Sequence, residues 1–294
     1  MPKKICFFSD TDLTINLYRS DLAELCRSKG YDVVYGSLSK LFRSVLKVYL
    51  ADLIVSSNLR ANIISLALFH GKRRLVILNG LGRSRESKVL RKFLYCLFRF
   101  NKKTTLIVQN YRDFRWLRRL NISSYYISGS GGLKLEVKQS NANRWVIITR
   151  ESKVKKQLNS IRDFSSALNR SDTMIAFYGL SKFETNDYIQ DVFTEFNGIV
   201  TPSRFFLQSD NFFQPEGYSE GFPHTLAHAI VSGCNIFIPK KLYIQYGLYE
   251  YDLQYNTMDK FISFEARDCS KLRSNLSLPV INNSYLNVIL KLVS

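Results

Sequence analysis

Histidine is scarce in this chain, with three in 294 residues, and the five cysteines are odd in number and include no CxxC pair. Those two absences leave no ligand set for a zinc centre, so no metal is expected. Cys6 and Cys234 lie in apolar context and read as buried thiols, which suits a reducing cytoplasm. No run approaches the ~18 apolar residues that a membrane span needs. The chain passes from Lys3-Lys4 straight into Ile5-Cys6-Phe7-Phe8, without a signal-type apolar region and cleavage site. Neither a Walker loop nor a GxGxxG fingerprint occurs, no fixed short repeat or low-complexity tract is present, and no Ser/His/Asp set or paired carboxylate motif is identifiable. Ser219 precedes Glu220 without a nucleophile elbow around it.

Acidic residues are also missing from one half. Residues 1–140 hold 26 Lys and Arg against 9 Asp and Glu, a net of +17, whereas residues 141–294 hold 16 against 15, a net of +1. A one-sided field of this kind implies a standing polyanionic partner: nucleic acid, anionic lipid headgroups or phosphate-bearing substrates. Nucleic acid is disfavoured, because no recognition helix or aromatic stacking motif is present.

What is there is an alternation of short apolar runs and helical patterns. Strands are expected at Ile5 to Ser9, Tyr31 to Tyr35, Leu53 to Ser56, Leu75 to Leu78 and Thr105 to Gln109, with helices at Leu13 to Lys29 and Asn62 to Phe69. Runs buried on both faces and separated by helices predict a parallel sheet with helices on each side. Gly129-Ser130-Gly131-Gly132 and the polar stretch Lys138 to Asn143 mark a joint. A second series then starts at Trp145 to Ile148 and continues through Met174 to Tyr178 and Gly198 to Val200. The expected domains are residues 1–138 and 139–294, with a ligand cleft between them.

The densest segment is Pro215 to Pro239, PEGYSEGFPHTLAHAIVSGCNIFIP. Glu220 precedes Gly221-Phe222-Pro223, and Pro223 fits the first turn of a helix. Leu226, Ala229 and Ile230 form an apolar stripe ended by Gly233, and Asn235 to Ile238 reads as a buried strand. This order puts Glu220 on the rim of a sheet, where helix amides favour negative ligands. Arg150 follows the first strand of the second half, with Lys155 five residues on. Positive side chains at a strand's carboxyl end and a helix start suit a diphosphate, although Lys153, Lys155 and Lys156 could equally form a solvated face.

Asn79-Gly80-Leu81-Gly82 and Gly129 to Gly132 are expected to border the cleft, or simply to supply turns. His224 and His228, four apart on one helix face, have no third ligand within sequence reach. Lys88 to Lys103 and, more briefly, Ser39 to Leu50 interleave apolar and basic residues. Each is either a helix lying in a headgroup region or one packed on the sheet with a charged outer face. Arg112, Arg115, Arg118 and Arg119 extend that basic surface.

Taken together, ITRESKVKKQ with Arg150 and Lys155, and YSEGFPHTLAHAIVSGCNIFIP, resemble the family four glycosyltransferases over most of the chain. SNLRANIISLALFHGKRRLVILNGLGRSR, VQN and GSGG resemble that family's acceptor-facing strand ends. The resemblance implies an α/β fold of two Rossmann-like domains facing a central cleft, the GT-B architecture. It implies transfer of a sugar, with retention and without metal or cofactor, from a nucleoside diphosphate sugar. Glu220 would hold the donor sugar. Arg150, Lys155, Gly221, Phe222, Pro223, His224, Thr225 and His228 would line the donor site, and Asn79, Gly80, Gly82 and Gly131 the acceptor side. The family's second glutamate corresponds to His228 here. With the basic first half, a lipid-linked or oligosaccharide acceptor is expected, at the anionic inner-membrane surface, for a peripheral cytoplasmic enzyme of bacterial surface polysaccharide synthesis. A non-catalytic subunit with the same fold is the alternative.

Overall fold

The computed structural model describes residues 2–81, 87–129, 132–134, 144–168, 174–179, 193–196, 211–217 and 221–294. The expected strand at Gly198 to Val200 and the expected linker at Lys138 to Asn143 lie outside the described residues. The chain divides into two compact units: Met1–Gly132 with Ser219–Phe222 and Leu278–Ser294, and Leu133–Tyr218 with Pro223–Ser277.

The described residues of the first unit form six strands, β1 (Lys4–Ser9), β2 (Asp32–Ser37), β3 (Leu53–Ser57), β4 (Arg73–Leu78), β5 (Thr104–Val108) and β6 (Ser124–Tyr126). They pair in the order β2-β1-β3-β4-β5-β6, and every pair is parallel. Alternation along the strands feeds two cores. Ile5, Phe7, Leu53, Val55, Leu75 and Ile77 point to one face. Cys6, Phe8 and Ile54, then Val76, Leu78 and Leu106, point to the other. The first face is covered by α1 (Asp12–Tyr18), α2 (Ser20–Ser28) and the last helix of the chain; the second by α3 (Leu41–Tyr49), α4 (Leu59–Leu68), α5 (Lys88–Phe100) and α6 (Tyr111–Arg119).

Two features depart from expectation. The helix expected over Leu13 to Lys29 breaks at Arg19, which has φ −134° and ψ −5°. The break turns the Arg19 guanidinium inward, 5.3 Å from the ring centroid of Tyr285, and its Nη1 donates to the Tyr18 carbonyl at 3.0 Å. Arg74, in β4, is buried as well. It donates to the Ser65 and Phe69 carbonyls at the end of α4, at 3.1 and 3.0 Å, and to Asn101 Oδ1 at 2.6 Å. The two carbonyls also accept the Phe69 and Lys72 amides, each at 3.3 Å, so the guanidinium supplies each with a second bond.

The described residues of the second unit form seven strands: β7 (Arg144–Ile148), β8 (Met174–Tyr178), β9 (Phe193–Phe196), β10 (Asn211–Phe213), β11 (Asn235–Pro239), β12 (Asn256–Met258) and β13 (Phe261–Glu265). Their order is β12-β13-β11-β10-β7-β8-β9, parallel from β11 to β9, with β12 and β13 antiparallel at one edge. The helix α7 (Glu151–Leu168) is pinned on this sheet by Phe164, stacked on Phe213 at 4.0 Å and edge-on to Trp145 at 5.0 Å. The remaining helices are α8 (His224–Val231), α9 (Lys240–Gln245), α10 (Ser270–Asn275) and α11 (Leu278–Val293).

Although α11 lies within the range expected for the second domain, it packs on the first unit. Ile281, Tyr285, Ile289 and Val293 enter the core beneath β1, β3 and β4. Its terminal carbonyls accept from Lys3 and, at 2.9 Å, from Arg73. The stripe at positions 281, 285, 288 and 289 is that of a helix with one buried face, and the first sheet is the surface it meets. Ile289→Ala should therefore destabilise the first unit by about 2–5 kcal/mol, measured as a lowered guanidinium midpoint.

Candidate functional site

In an open parallel sheet, ligands bind beyond the carboxyl ends of the strands where the strand order reverses. In the second unit that reversal falls between β7 and β10: the chain builds outward from β7 to β8 and β9, then on the other side through β10 and β11. The residues following β7 are Thr149 and Arg150. Thr149 is buried; its amide donates to the Tyr178 carbonyl at 3.0 Å and its hydroxyl to Gln157 Oε1. Gly179 (φ +84°) crosses so close that an added Cβ would lie 2.1 Å from the Thr149 carbonyl oxygen. The end of β7 is thereby fixed from both sides.

Arg150 starts α7, its carbonyl accepting from the amides of Lys153 and Val154 at 2.8 and 2.9 Å. Its side chain is exposed, as are those of Lys155 and Lys156. The 18 residues of α7 give the helix start a full dipole beside these cations.

The segment after β10 runs along the same helix. Glu216 donates its amide to Ser160 Oγ at 3.1 Å, and its carboxylate lies 3.5 Å from Lys241 Nζ. Gly217 (φ +106°) sits where a Cβ would be 2.9 Å from the Lys156 carbonyl oxygen. Residues 214–217 thus leave the sheet against the middle of α7. Glu220 itself lies outside the described residues, as do Gly82 and Gly131. Among the described residues, Gln157 Nε2 and Gln214 Oε1 are buried without a hydrogen-bond partner. Buried polar atoms of this kind are ordinarily satisfied by water or a ligand.

Pro223 caps α8, its carbonyl accepting from the Ala227 amide at 3.0 Å. Phe222 and Pro223 are buried, and Thr225 is half-buried. The rings of His224 and His228 meet edge to face, 5.0 Å apart. Burial pushes both imidazoles down to about 4, and for His228 the neighbouring His224 adds to the effect. Both are therefore neutral at pH 7, so they offer hydrogen bonds rather than charge to a ligand. Among the described residues no cluster of His, Cys, Asp or Glu could hold a metal ion.

The first unit has its reversal between β1 and β3. Loops at that carboxyl edge are tied to one another. Asp10 accepts from the Ala61 amide at 3.0 Å, Asp113 from the Leu81 amide at 2.9 Å, and Asn58 Oδ1 from Asn79 Nδ2 at 2.9 Å. Asn79 Oδ1 and Gln109 Oε1 are buried and have no hydrogen-bond partner among the described residues. Gly221, which belongs with this unit, lies so close that a Cβ would fall 1.5 Å from the Asn79 carbonyl oxygen. Gly221 and the Asn79-Gly80 turn are therefore brought together, although Gly221 was expected on the donor side and the turn on the acceptor side. Sequence reasoning missed Asn58, Asp113, Thr149 and Gln157. Asn58 carried a signal, an asparagine just before a helix, and it adopts φ +73°.

A cavity of about 1150 Å³ in the second unit is elsewhere. It lies toward the amino ends of the strands, by Trp145, Asn211 and Asn235. Asp252, Glu265 and Asp268 also line it, and that charge opposes a diphosphate.

No protein-family profile and no curated protein matches the chain by sequence. Solved structures do match over nearly its whole length. Anabaena HepE in complex with UDP and glucose shares 14% identity at a TM-score of 0.61, covering 98% of this chain and 99% of that one. A glycosyltransferase from Rickettsia africae ESF-5 shares 10% at 0.63, covering 100% and 99%. A UDP-N-acetylglucosamine 2-epimerase candidate from Listeria monocytogenes shares 10% at 0.56, covering 98% and 96%. The fold is that of the GT-B glycosyltransferases. At such identities the likeness extends to architecture alone, and an epimerase candidate stands among the neighbours.

Two outcomes follow from this geometry. Gly221→Ala must displace the Asn79 backbone, so it should lower the thermal midpoint by several degrees, a shift scanning calorimetry would register. For the histidines, folded-state values near 4 lie below the ordinary 6.5, so the unfolded chain takes up their protons first. Their stability contribution is full above pH 6.5 and falls as the pH drops toward 4. Guanidinium midpoints should fall across that window, and His228→Gln should flatten the fall.

Proposed function

We propose that this protein is a glycosyltransferase that moves a sugar from a nucleoside diphosphate sugar to an acceptor, with retention at the anomeric carbon and without a metal. The observation that carries this reading is the strand-order reversal between β7 and β10, which brings the Arg150 end of α7 beside the segment leading to Glu220. In sugar transfer the leaving diphosphate gains charge as the glycosidic bond breaks. Arg150, Lys155 and the first amides of α7 meet that charge with donors already oriented, in the manner of an oxyanion hole. Glu220 holds sugar hydroxyls and orients the ring. Neutral His224 and His228 add hydrogen bonds to the donor, and the Asn79-Gly80 turn, with Gly82 and Gly131, faces the acceptor. The fold shared with HepE, whose structure holds UDP and glucose, supports the donor class.

The acceptor in this reading is a lipid-linked or oligosaccharide intermediate of bacterial surface polysaccharide, such as O-antigen or capsule, met at the cytoplasmic face of the inner membrane. The net charge of +17 on residues 1–140 supports an anionic, phosphate-bearing acceptor. A second reading, a non-catalytic subunit that binds sugar nucleotide, is favoured by His228, an uncharged imidazole where the resembled family has a glutamate.

A panel of nucleoside diphosphate sugars, followed by thermal shift and by release of the diphosphate product, separates the two. Transfer should be found, and Arg150→Ala or Lys155→Ala should each lower kcat/KM by about 10²–10³-fold. Donor binding without transfer, or transfer unchanged in Glu220→Ala, would overturn the enzymatic reading.

A further inference from the structure

Helix α3 is turned inside out relative to an ordinary surface helix. Phe42, Val45, Leu46, Tyr49 and Leu50 recur at the spacing of one apolar stripe, the pattern that normally faces a core. Here that stripe is exposed: Phe42 is 97% accessible, and Leu46 and Tyr49 are each 64% accessible. The helix docks instead through Ser44 and Val48. Ser44 Oγ accepts from the Ser37 amide at 3.0 Å and lies 2.9 Å from the Lys40 carbonyl, and the backbone at Gly36 comes so near that an added Cβ would be 3.2 Å from the Ser44 Cβ. The small face is thus locked onto β2, and the large apolar face is left outward.

On the same side of the sheet, α5 buries Leu94 and Phe98 and leaves Val89, Phe93 and Phe100 exposed, the last 72% accessible. Arg43 and Lys47 flank the stripe on α3, and Lys88, Lys92 and Arg99 flank that on α5; all five are exposed. Neither these two helices nor α4, which covers the same face, contains an aspartate or glutamate. Among the described residues no helix is long and apolar enough to cross a membrane.

We infer that the outward face of α3 and α5 docks on an anionic lipid bilayer, with Phe42, Leu46, Tyr49, Phe93 and Phe100 entering the headgroup boundary and the lysines and arginines meeting lipid phosphates. A protein partner would need acidic groups to match these cations, whereas an anionic membrane offers both a charged surface and an apolar layer to one face. This deepens the lipid-linked acceptor of the proposed function and rests on that part of it. A transferase held at the lipid surface meets its acceptor in two dimensions.

The test is sedimentation of the full chain with vesicles of phosphatidylglycerol and phosphatidylcholine, against vesicles of phosphatidylcholine alone. Binding should be at least about tenfold stronger to the anionic vesicles and should weaken as salt rises. Phe42→Ser with Leu46→Ser should lower it by about tenfold or more, and Arg43→Gln with Lys92→Gln should lower it at low salt. Both double variants should keep the circular dichroism of the parent and its transfer to a soluble acceptor. Equal binding to both vesicle types, binding indifferent to the Phe42 and Leu46 changes, or a concentration-dependent dimer abolished by those changes in a chain that ignores vesicles would overturn the inference. Vesicle binding by a chain that transfers no sugar would sink the transferase reading and leave this surface standing.

Discussion

A parallel strand cannot be entered by a tight turn; the chain must travel back through a crossover, normally a helix, before the next strand begins. The described connections from β1 through β6, from β7 to β8 and from β10 to β11 obey this constraint with a helix each time, and much of the molecule follows from it. Helices that return a chain begin at the carboxyl edge, so their open amides and the preceding loops collect there. In the second unit this sets Thr149, Arg150 and the start of α7 beside Gln214 to Gly217. In the first it lines up Asp10, Asn58, Asn79 and Asp113, whose hydrogen bonds join one loop to the next. Chemistry gathers on those edges because connectivity leaves it nowhere else to gather.

The same geometry explains how charge is carried. Most of the first unit's cations stand in solvent, but Arg19 and Arg74 are buried and meet carbonyls, an amide oxygen, a hydroxyl and an aromatic ring instead of carboxylates. Oriented dipoles can replace the hydration of a guanidinium, whose charge is spread over a plane and weakly hydrated to begin with. Those two guanidiniums are out of reach of a surface partner, so the exposed cations on the face formed by α3, α4 and α5 matter more to docking than the total charge.

The sheets were legible because a strand buried on both faces has to be a run such as Ile5-Cys6-Phe7-Phe8 or Val146-Ile147-Ile148, and little else in the chain looks like one. Arg150, Lys155 and the helix after Pro223 were legible for a similar reason, since cations and proline at a helix start leave local marks. Whatever depended on a distant partner was not. The helix α11 has a stripe suited to one buried face, and only the fold decides which sheet meets it. The rhythm of α3 announced two faces, and only the contact of Ser44 with Gly36 and β2 decides which one is outside. Gly179 and Gly217 were visible as glycines, but the carbonyls of Thr149 and Lys156 that forbid a side chain there belong to other segments.

The return of α11 to the first unit also bears on how the molecule is made. A ribosome delivers the strands β1 to β6 early, with α1 and α2 to cover part of one sheet face, yet the part of that face that packs Ile281, Tyr285 and Ile289 lacks its cover until α11 emerges. At ordinary elongation rates of roughly 5–20 residues per second, the intervening second unit takes on the order of ten seconds to synthesise. Through that interval the first half of the nascent chain carries an apolar sheet face only partly covered, by α1 and α2, and the second unit, whose residues end at Ser277, is free to fold before it. The order of folding would run against the order of synthesis, with a chaperone-sized window between them.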